Sequence, residues 1–258
     1  MATRAHPMCV LVAAVRSAAA YILVSLYILV AGLPTLTLGL FRSVEDLVYI
    51  LSRIGVQLAL VLSGIRVVVE GRERQPMGRG AVYCGNHESN VDAPILFYAL
   101  HPRLHTLYKA EFGRIPVLGQ VIKAARCVPV YRDDRDRSIR WLDEAVPMLA
   151  AGTPFLFFPE GTRSEPGTLL PFKKGGFIMA IRAQVPVVPV AMHGSYDAMK
   201  RGSALIYPAR ISVRVGGPIE TVGMTLDDRD GLIEQVRERM KELLALGPIP
   251  AHGGRRKA

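Results

Sequence analysis

No charged residue occurs between Ser17 and Phe41. A run of that length commits the front of the chain to an apolar environment. A straight helix over it would be about 37 Å long at about 1.5 Å per residue, against about 30 Å of bilayer hydrocarbon. Pro34 interrupts the run, and proline kinks or ends a helix because it has no N–H. From Ser17 to Leu33 a helix would reach only about 26 Å. The next apolar segment, Val44 to Ile65, carries Glu45, Asp46 and Arg53 and reads as amphipathic. Three arrangements stay open: a cleaved signal peptide, one span or a spanning hairpin, and two helices lying in one leaflet. The run is long for a signal peptide, and no A-x-A site follows it. The other two arrangements both attach the chain to a bilayer.

Composition narrows the rest. The 258 residues hold 32 Lys+Arg and 22 Asp+Glu, a formal net charge of +10, with 50% hydrophobic and 21% charged residues. That excludes a disordered chain. It suits a protein that meets apolar lipid and anionic groups together. Three cysteines, Cys9, Cys84 and Cys127, are too few and too scattered for a disulfide framework or a cysteine zinc site. An odd count fits reduced thiols in the cytoplasm.

After Gly64 short β-rich runs alternate with helical stretches. The spacing predicts strands at Ile65–Glu70, Ala81–Cys84, Leu104–Lys109, Cys127–Tyr131, Pro154–Phe158, Val187–Met192 and Ile211–Val215. Several are continuous apolar runs, as in parallel strands covered on both faces. Ile139, Leu142, Val146 and Leu149 share one helical face, with Pro147 an objection to a straight helix end. Leu232, Val236, Met240 and Leu243 share another. The alternation predicts a layered α/β domain over 65–247. Helices that meet the membrane precede it over 1–64, and a basic, flexible tail follows over 248–258.

Common catalytic signatures fail. There is no G-x-x-x-x-G-K-[ST] and no G-x-S-x-G, and His87-Glu88 is not completed to H-E-x-x-H because position 91 is Val91. His101 and His105 flank Pro102, which makes poor metal-ligand geometry. Basic and aromatic residues do not interleave along one element, so no nucleic-acid surface is expected.

Asn86-His87-Glu88-Ser89-Asn90-Val91-Asp92 follows a strand and opens a helix. On one continuous helix His87 and Asp92 would sit about 140° apart, so they meet only if His87 precedes the helix. Ser89 reads as the N-cap and Asp92 as the third helical position, a capping-box pattern. A carboxylate on one imidazole nitrogen fixes the tautomer and leaves the other nitrogen to take a proton from an alcohol. The plain alternative is that Asp92 only caps the helix and His87 is a turn residue. With no serine or cysteine nucleophile evident beside the pair, the activated hydroxyl would belong to a substrate.

Phe158-Pro159-Glu160-Gly161-Thr162-Arg163-Ser164 closes an apolar strand, where α/β sheets hold ligands. Arg163 offers a planar fork for phosphate. The alternative is a simple turn with a Glu160–Arg163 ion pair. Lys173 and Lys174 open the next helix, either as an anion site or as an ordinary solvated helix start. Lys109 ends a strand, where it could steady an oxyanion. Ile115-Pro116-Val117-Leu118 is plain core or the lining of an acyl tunnel.

Together these segments resemble the glycerolipid acyltransferase family. His87-x4-Asp92 is similar to its first motif, Lys109 to Gly119 to its second, and Phe158 to Ser164 to its third. Val185-Pro186-Val187-Val188-Pro189-Val190-Ala191 is similar to its fourth, and the order and spacing agree over roughly 65–220. The resemblance implies an acyltransferase domain with a mostly parallel mixed sheet flanked by helices, behind a two-helix membrane anchor. It implies direct acyl transfer from acyl-CoA or acyl-carrier protein to the free sn-2 hydroxyl of lysophosphatidic acid, giving phosphatidic acid. His87 would be the base and Asp92 its orienting partner. Glu160, Gly161, Thr162 and Arg163 would hold the glycerol phosphate, and Lys109 would assist. No metal and no cofactor beyond the acyl donor is implied, and the active site would face the cytoplasm. Rival readings are the same chemistry on glycerol 3-phosphate, another lysophospholipid or a lyso-aminolipid, a non-catalytic lipid-binding protein, and a lipid hydrolase.

Overall fold

The computed structural model describes residues 7–130 and 135–251. Tyr131, the end of one predicted strand, and most of the basic tail lie outside the described residues.

The apolar front folds into two helices, α1 (Pro7–Gly39) and α2 (Glu45–Ser63). Both are long and apolar enough to cross a membrane. Pro34, which kinks or ends many helices, lies inside α1. Nearby, Thr35 Oγ1 donates to Ala31 O at 2.7 Å and Thr37 Oγ1 to Leu33 O at 2.9 Å, each back-bonding one turn along the helix. The two helices meet where Gly55 has no side chain. A Cβ there would sit 2.8 Å from the Tyr27 ring, and the Tyr27 hydroxyl donates to Leu51 O. α2 stops at Gly64, whose φ of 72° is the left-handed cap that glycine adopts without strain.

α1 is docked along the rest of the molecule. Ser17 Oγ accepts the Ile206 N–H at 2.8 Å, and the Tyr21 hydroxyl donates to Ala204 O at 2.8 Å. Further along, Gly32 packs against Val117 and Val121. The opposite side exposes Met8, Leu11, Val15, Ile22, Leu26, Leu29 and Leu33 at helical spacing. At the turn between the helices Leu40 and Phe41 are 80% and 83% exposed.

Seven strands follow: β1 (Arg66–Glu70), β2 (Val82–Gly85), β3 (His105–Lys109), β4 (Val128–Val130), β5 (Phe155–Phe157), β6 (Val187–His193) and β7 (Arg210–Val215). They form one sheet in the order β1-β7-β6-β2-β5-β3-β4. Every neighbouring pair is parallel except β6 and β7, so the sheet is mixed and mostly parallel, as expected. The helices after α2 are α3 (Asp92–Ala99), α4 (Leu118–Ala124), α5 (Arg135–Ala150), α6 (Gly175–Ala183), α7 (Ser195–Ala198) and α8 (Arg229–Ala245). Pro147 lies within α5 rather than ending it.

Alternate strand residues face two cores, which is the period of a pleated strand. Tyr83, Leu156, Val188 and Val190 pack with Ile95 and Leu96 of α3. Val82, Cys84, Phe155 and Val187 pack with Leu142 of α5, Phe177 of α6 and Val236 of α8. Burying these side chains contributes about 25 cal/mol per Å² of apolar surface. Because β2, β3, β5 and β6 run parallel, their C-terminal ends share one edge of the sheet. The segments carrying the candidate residues leave from that edge.

Candidate active site

His87 lies two residues beyond β2 and ahead of α3. Its Nδ1 is 2.8 Å from Asp92 Oδ2. The same oxygen accepts the backbone N–H groups of Glu88 at 2.7 Å and Ser89 at 2.8 Å. Asp92 is fully buried, while the His87 side chain keeps 18% of its surface accessible. An imidazole that donates to a carboxylate through Nδ1 presents Nε2 as its proton-accepting atom. The ring stacks on Phe158, with centroids 4.3 Å apart and planes 23° from parallel.

The capping pattern is half formed. Asp92 reaches back to the turn as expected, but the helix begins at Asp92 behind Val91, and no side chain caps it. The Ser89 hydroxyl donates instead to Met199 O at 2.7 Å. That bond ties the turn to the segment after β6.

The turn is held from three further directions. Asn86 Oδ1 accepts the Met192 N–H at 2.7 Å and its Nδ2 donates to Met192 O at 3.0 Å. The side-chain amide thereby replaces a ladder position at the end of β6. The Ser164 N–H donates to His87 O at 2.7 Å, and Ser164 Oγ donates to the same oxygen at 3.2 Å. Glu88 is buried, and its Oε1 accepts the Gly167 N–H and an Asn86 amide hydrogen. Burial pushes the Glu88 carboxyl above its usual value; the Gly167 bond opposes that, and the nearby Asp92 charge adds to it.

The loop after β5 carries the other expected residues. Gly161 has φ of 67°, a conformation glycine adopts without strain. A Cβ there would meet the Lys173 side chain at 3.4 Å. Thr162 is exposed and Arg163 half-buried. Glu160 differs from expectation. It is 2% exposed, and its oxygens accept the His87 N–H at 2.9 Å and the Leu170 N–H at 3.0 Å. Among the described residues no Glu160–Arg163 ion pair forms, because both carboxylate oxygens are turned to backbone amides. Lys174 pairs with Asp230 at 3.6 Å at the start of α6.

Lys109 ends β3 opposite Val130; its side chain lies outside the described residues. Beyond it the chain turns through Ala110–Arg114 into α4. Val117 has φ of 63°, a strained conformation for a β-branched residue, and its side chain abuts Gly32 of α1. A cavity of about 360 Å³ opens between α1, α2, α3 and α4, lined by Tyr27, Ala31, Val48, Val56, Pro94 and Leu118 among others.

The hydroxyls of Ser89 and Ser164 and the Cys84 thiol, on the segments that hold His87, are occupied or inert. Ser89 and Ser164 donate to carbonyls. Cys84 is buried, and that burial, with the Glu160 charge, pushes its thiol well above the ordinary range. Neutral thiols are poor nucleophiles. Asn86, Phe158 and Ser164 were not singled out from the sequence. An asparagine at a strand end beside His87 was a legible signal; the stacking of Phe158 was not, since it is made 71 residues away.

The His87–Asp92 pair and the turn that carries Gly161 and Arg163 leave the same edge of the sheet and are joined there by the Ser164–His87 backbone bond. The family model for acyltransferases matches residues 66–193, a stretch that contains all four motifs. Over that stretch the chain is similar to the acyltransferase family.

More particularly, it is similar to 1-acyl-sn-glycerol-3-phosphate acyltransferases. It is 31% identical to that of Limnanthes alba over 182 residues, covering 70% of this chain and 64% of the relative. It is 34% identical to the alpha form of Mus musculus over 184 residues, covering 70% and 65%. The match therefore spans a little under two thirds of the length of these curated relatives. The crystal structure of the 1-acyl-sn-glycerophosphate (LPA) acyltransferase PlsC from Thermotoga maritima superposes with a TM-score of 0.79 at 26% identity, covering 90% of this chain and 94% of that one.

Proposed function

We propose that this protein transfers a fatty acyl group from an acyl thioester to the free sn-2 hydroxyl of 1-acyl-glycerol-3-phosphate, forming phosphatidic acid. The observation that carries the reading is the His87–Asp92 pair, with Nδ1 held at 2.8 Å and the ring part exposed at the sheet edge. His87 Nε2 takes the hydroxyl proton as the acceptor oxygen attacks the thioester carbonyl. Asp92 keeps the tautomer and stabilises the imidazolium. The tetrahedral oxyanion collapses, the carbon–sulfur bond breaks, and the leaving thiolate recovers the proton from His87. Direct transfer is supported by the engaged hydroxyls of Ser89 and Ser164 and the buried Cys84 thiol.

Gly161, Thr162 and Arg163 hold the glycerol phosphate, with Arg163 on the phosphate oxygens. Lys109, at the end of β3, meets developing negative charge. The donor is acyl-CoA or acyl-carrier protein, and no metal or further cofactor takes part. The apolar cavity between the helical hairpin and α3–α4 suits a fatty chain.

The hairpin attaches the enzyme to the cytoplasmic leaflet with both helices lying in its plane. This is supported by the docking of Ser17, Tyr21 and Gly32 on one side of α1 and the apolar stripe on the other. The active site then meets lipid acceptor and aqueous donor at one interface.

The test is an acyl-transfer assay on purified protein in lipid or detergent, with 1-acyl-glycerol-3-phosphate and each donor in turn. Phosphatidic acid from the parent, and none from His87→Ala with an unchanged fold, is the expected result. A near-normal rate from His87→Ala would sink the mechanism. Equal rates with phosphate-free acceptors would remove Arg163 from the phosphate.

A further inference from the structure

We infer that Glu160 is a positioning residue which, with Ser164, holds the backbone of His87 in place, and that its carboxylate does not touch substrate. The inference rests on the proposed role of His87 as base and concerns how that base is kept in position.

Both polar groups of the His87 backbone are bound to the loop after β5. Its N–H donates to Glu160 Oε1 at 2.9 Å, and its carbonyl accepts the Ser164 N–H at 2.7 Å and the Ser164 hydroxyl at 3.2 Å. The second Glu160 oxygen accepts the Leu170 N–H at 3.0 Å. The carboxylate thus bridges the base to the far end of its own loop. At 2% exposure the carboxylate is shielded from a substrate hydroxyl, which would have to push in beside or displace one of these amides. Displacement would leave a buried donor without a partner.

Charge points the same way. A phosphate monoester carries about −1.5 to −2 at neutral pH, so a carboxylate is a poor ligand beside it. Two backbone N–H groups explain a carboxylate in this loop without any ligand. Arg163 lies between the two residues that hold His87, so the phosphate-facing arginine and the base belong to one braced unit. Placement within a fraction of an ångström is what proton transfer requires.

Glu160→Gln separates the roles. It keeps one acceptor oxygen, but its amide nitrogen then faces a backbone N–H. The expected result is a kcat lower by about ten- to hundredfold, with the KM for 1-acyl-glycerol-3-phosphate within about twofold of the parent. A KM raised with kcat unchanged, or no change in either, overturns the inference. Ser164→Ala should lower kcat in the same direction by a smaller factor. Should Glu160→Gln fail to fold by circular dichroism, Ser164→Ala decides, and unchanged kinetics there overturn the inference.

A second readout does not depend on the acceptor. The His87 Nδ1 proton should give a low-field NMR line that Asp92→Asn removes, which assigns it. Glu160→Gln should shift or broaden that line, and an unchanged line would count against the brace. If the parent transferred no acyl group from either donor, the proposed reaction would fall, and the proton line would still judge Glu160.

Discussion

Around His87 the contacts are directional and mostly buried, whereas the outer side of α1 presents mostly apolar side chains to its surroundings. Asp92, Glu160, Ser164 and Asn86 hold the turn after β2 through hydrogen bonds between 2.7 and 3.2 Å. Met8, Leu11, Ile22, Leu26 and Leu33 form a stripe with no such constraint. Hydrogen bonds fix individual atoms and weaken steeply with misalignment. Apolar burial scales with area and has no direction. The proton transfer proposed at His87 needs the first kind of contact, and the leaflet binding proposed for the hairpin needs the second. Ser17 and Tyr21 are the exceptions that show how the hairpin is nonetheless aligned with the sheet.

Substitutions at the two regions should therefore fail differently. The largest effect is expected at His87→Ala, with kcat lower by about 10²–10⁴-fold and little change in thermal unfolding. Asp92→Asn should lower turnover comparably. It should also reduce the unfolding temperature, because an amide oxygen in the place of Oδ2 puts the NH2 group at Oδ1, a buried position with no hydrogen-bond partner among the described residues. An unchanged melting curve would break the claim that Asp92 also holds the turn.

On the hairpin, Leu40→Asp with Phe41→Asp should reduce binding to phospholipid vesicles at least about tenfold, since burying one large apolar side chain contributes about 1.5–3 kcal/mol. Unfolding temperature and turnover of a detergent-dispersed acceptor should stay at parental values. Retained vesicle binding would show that the tip does not enter lipid.

Ser17→Ala should lower stability by about 1–3 kcal/mol, because it strands the Ile206 N–H; denaturant unfolding measures this.

The smallest effect is expected at Glu88→Gln. The raised Glu88 pKa means the folded protein holds that proton more tightly than the unfolded chain. Its contribution to stability is complete below the unfolded value, and it is lost as pH rises through the folded one. Glutamine keeps the acceptor for Gly167 and never ionises. The variant should match the parent in acid and be the more stable of the two at neutral pH. Parallel stability–pH curves would contradict the shift.

Much of this was legible along the chain. Each of the seven strands falls within a residue or two of its apolar run, from Arg66–Glu70 to Arg210–Val215. The placement of His87 ahead of its helix followed from the angle that five helical residues subtend. Pro34 reads in sequence as a kink or an end, yet α1 runs through it from Pro7 to Gly39, since local sequence does not decide whether packing carries a helix past a proline. Ser89 misled in part. Its hydroxyl donates to Met199 O, 110 residues away, while its oxygen accepts the Val91 N–H at a long 3.5 Å. Glu160 reads in sequence as a ligand of the phosphate loop. Its amide partners are His87, 73 positions earlier, and Leu170, 10 positions later.

By itself the sequence determined what neighbouring residues decide: the strand and helix periods, the uncharged run at the front, the turn that frees His87 from α3, and the four ordered motifs that carry the resemblance. Only the tertiary structure decided the strand order, the docking of α1 and the partners of each buried carboxylate. Those depend on which distant amides arrive at the same place when the two cores close, and a buried acceptor takes whatever donor the packing brings to it.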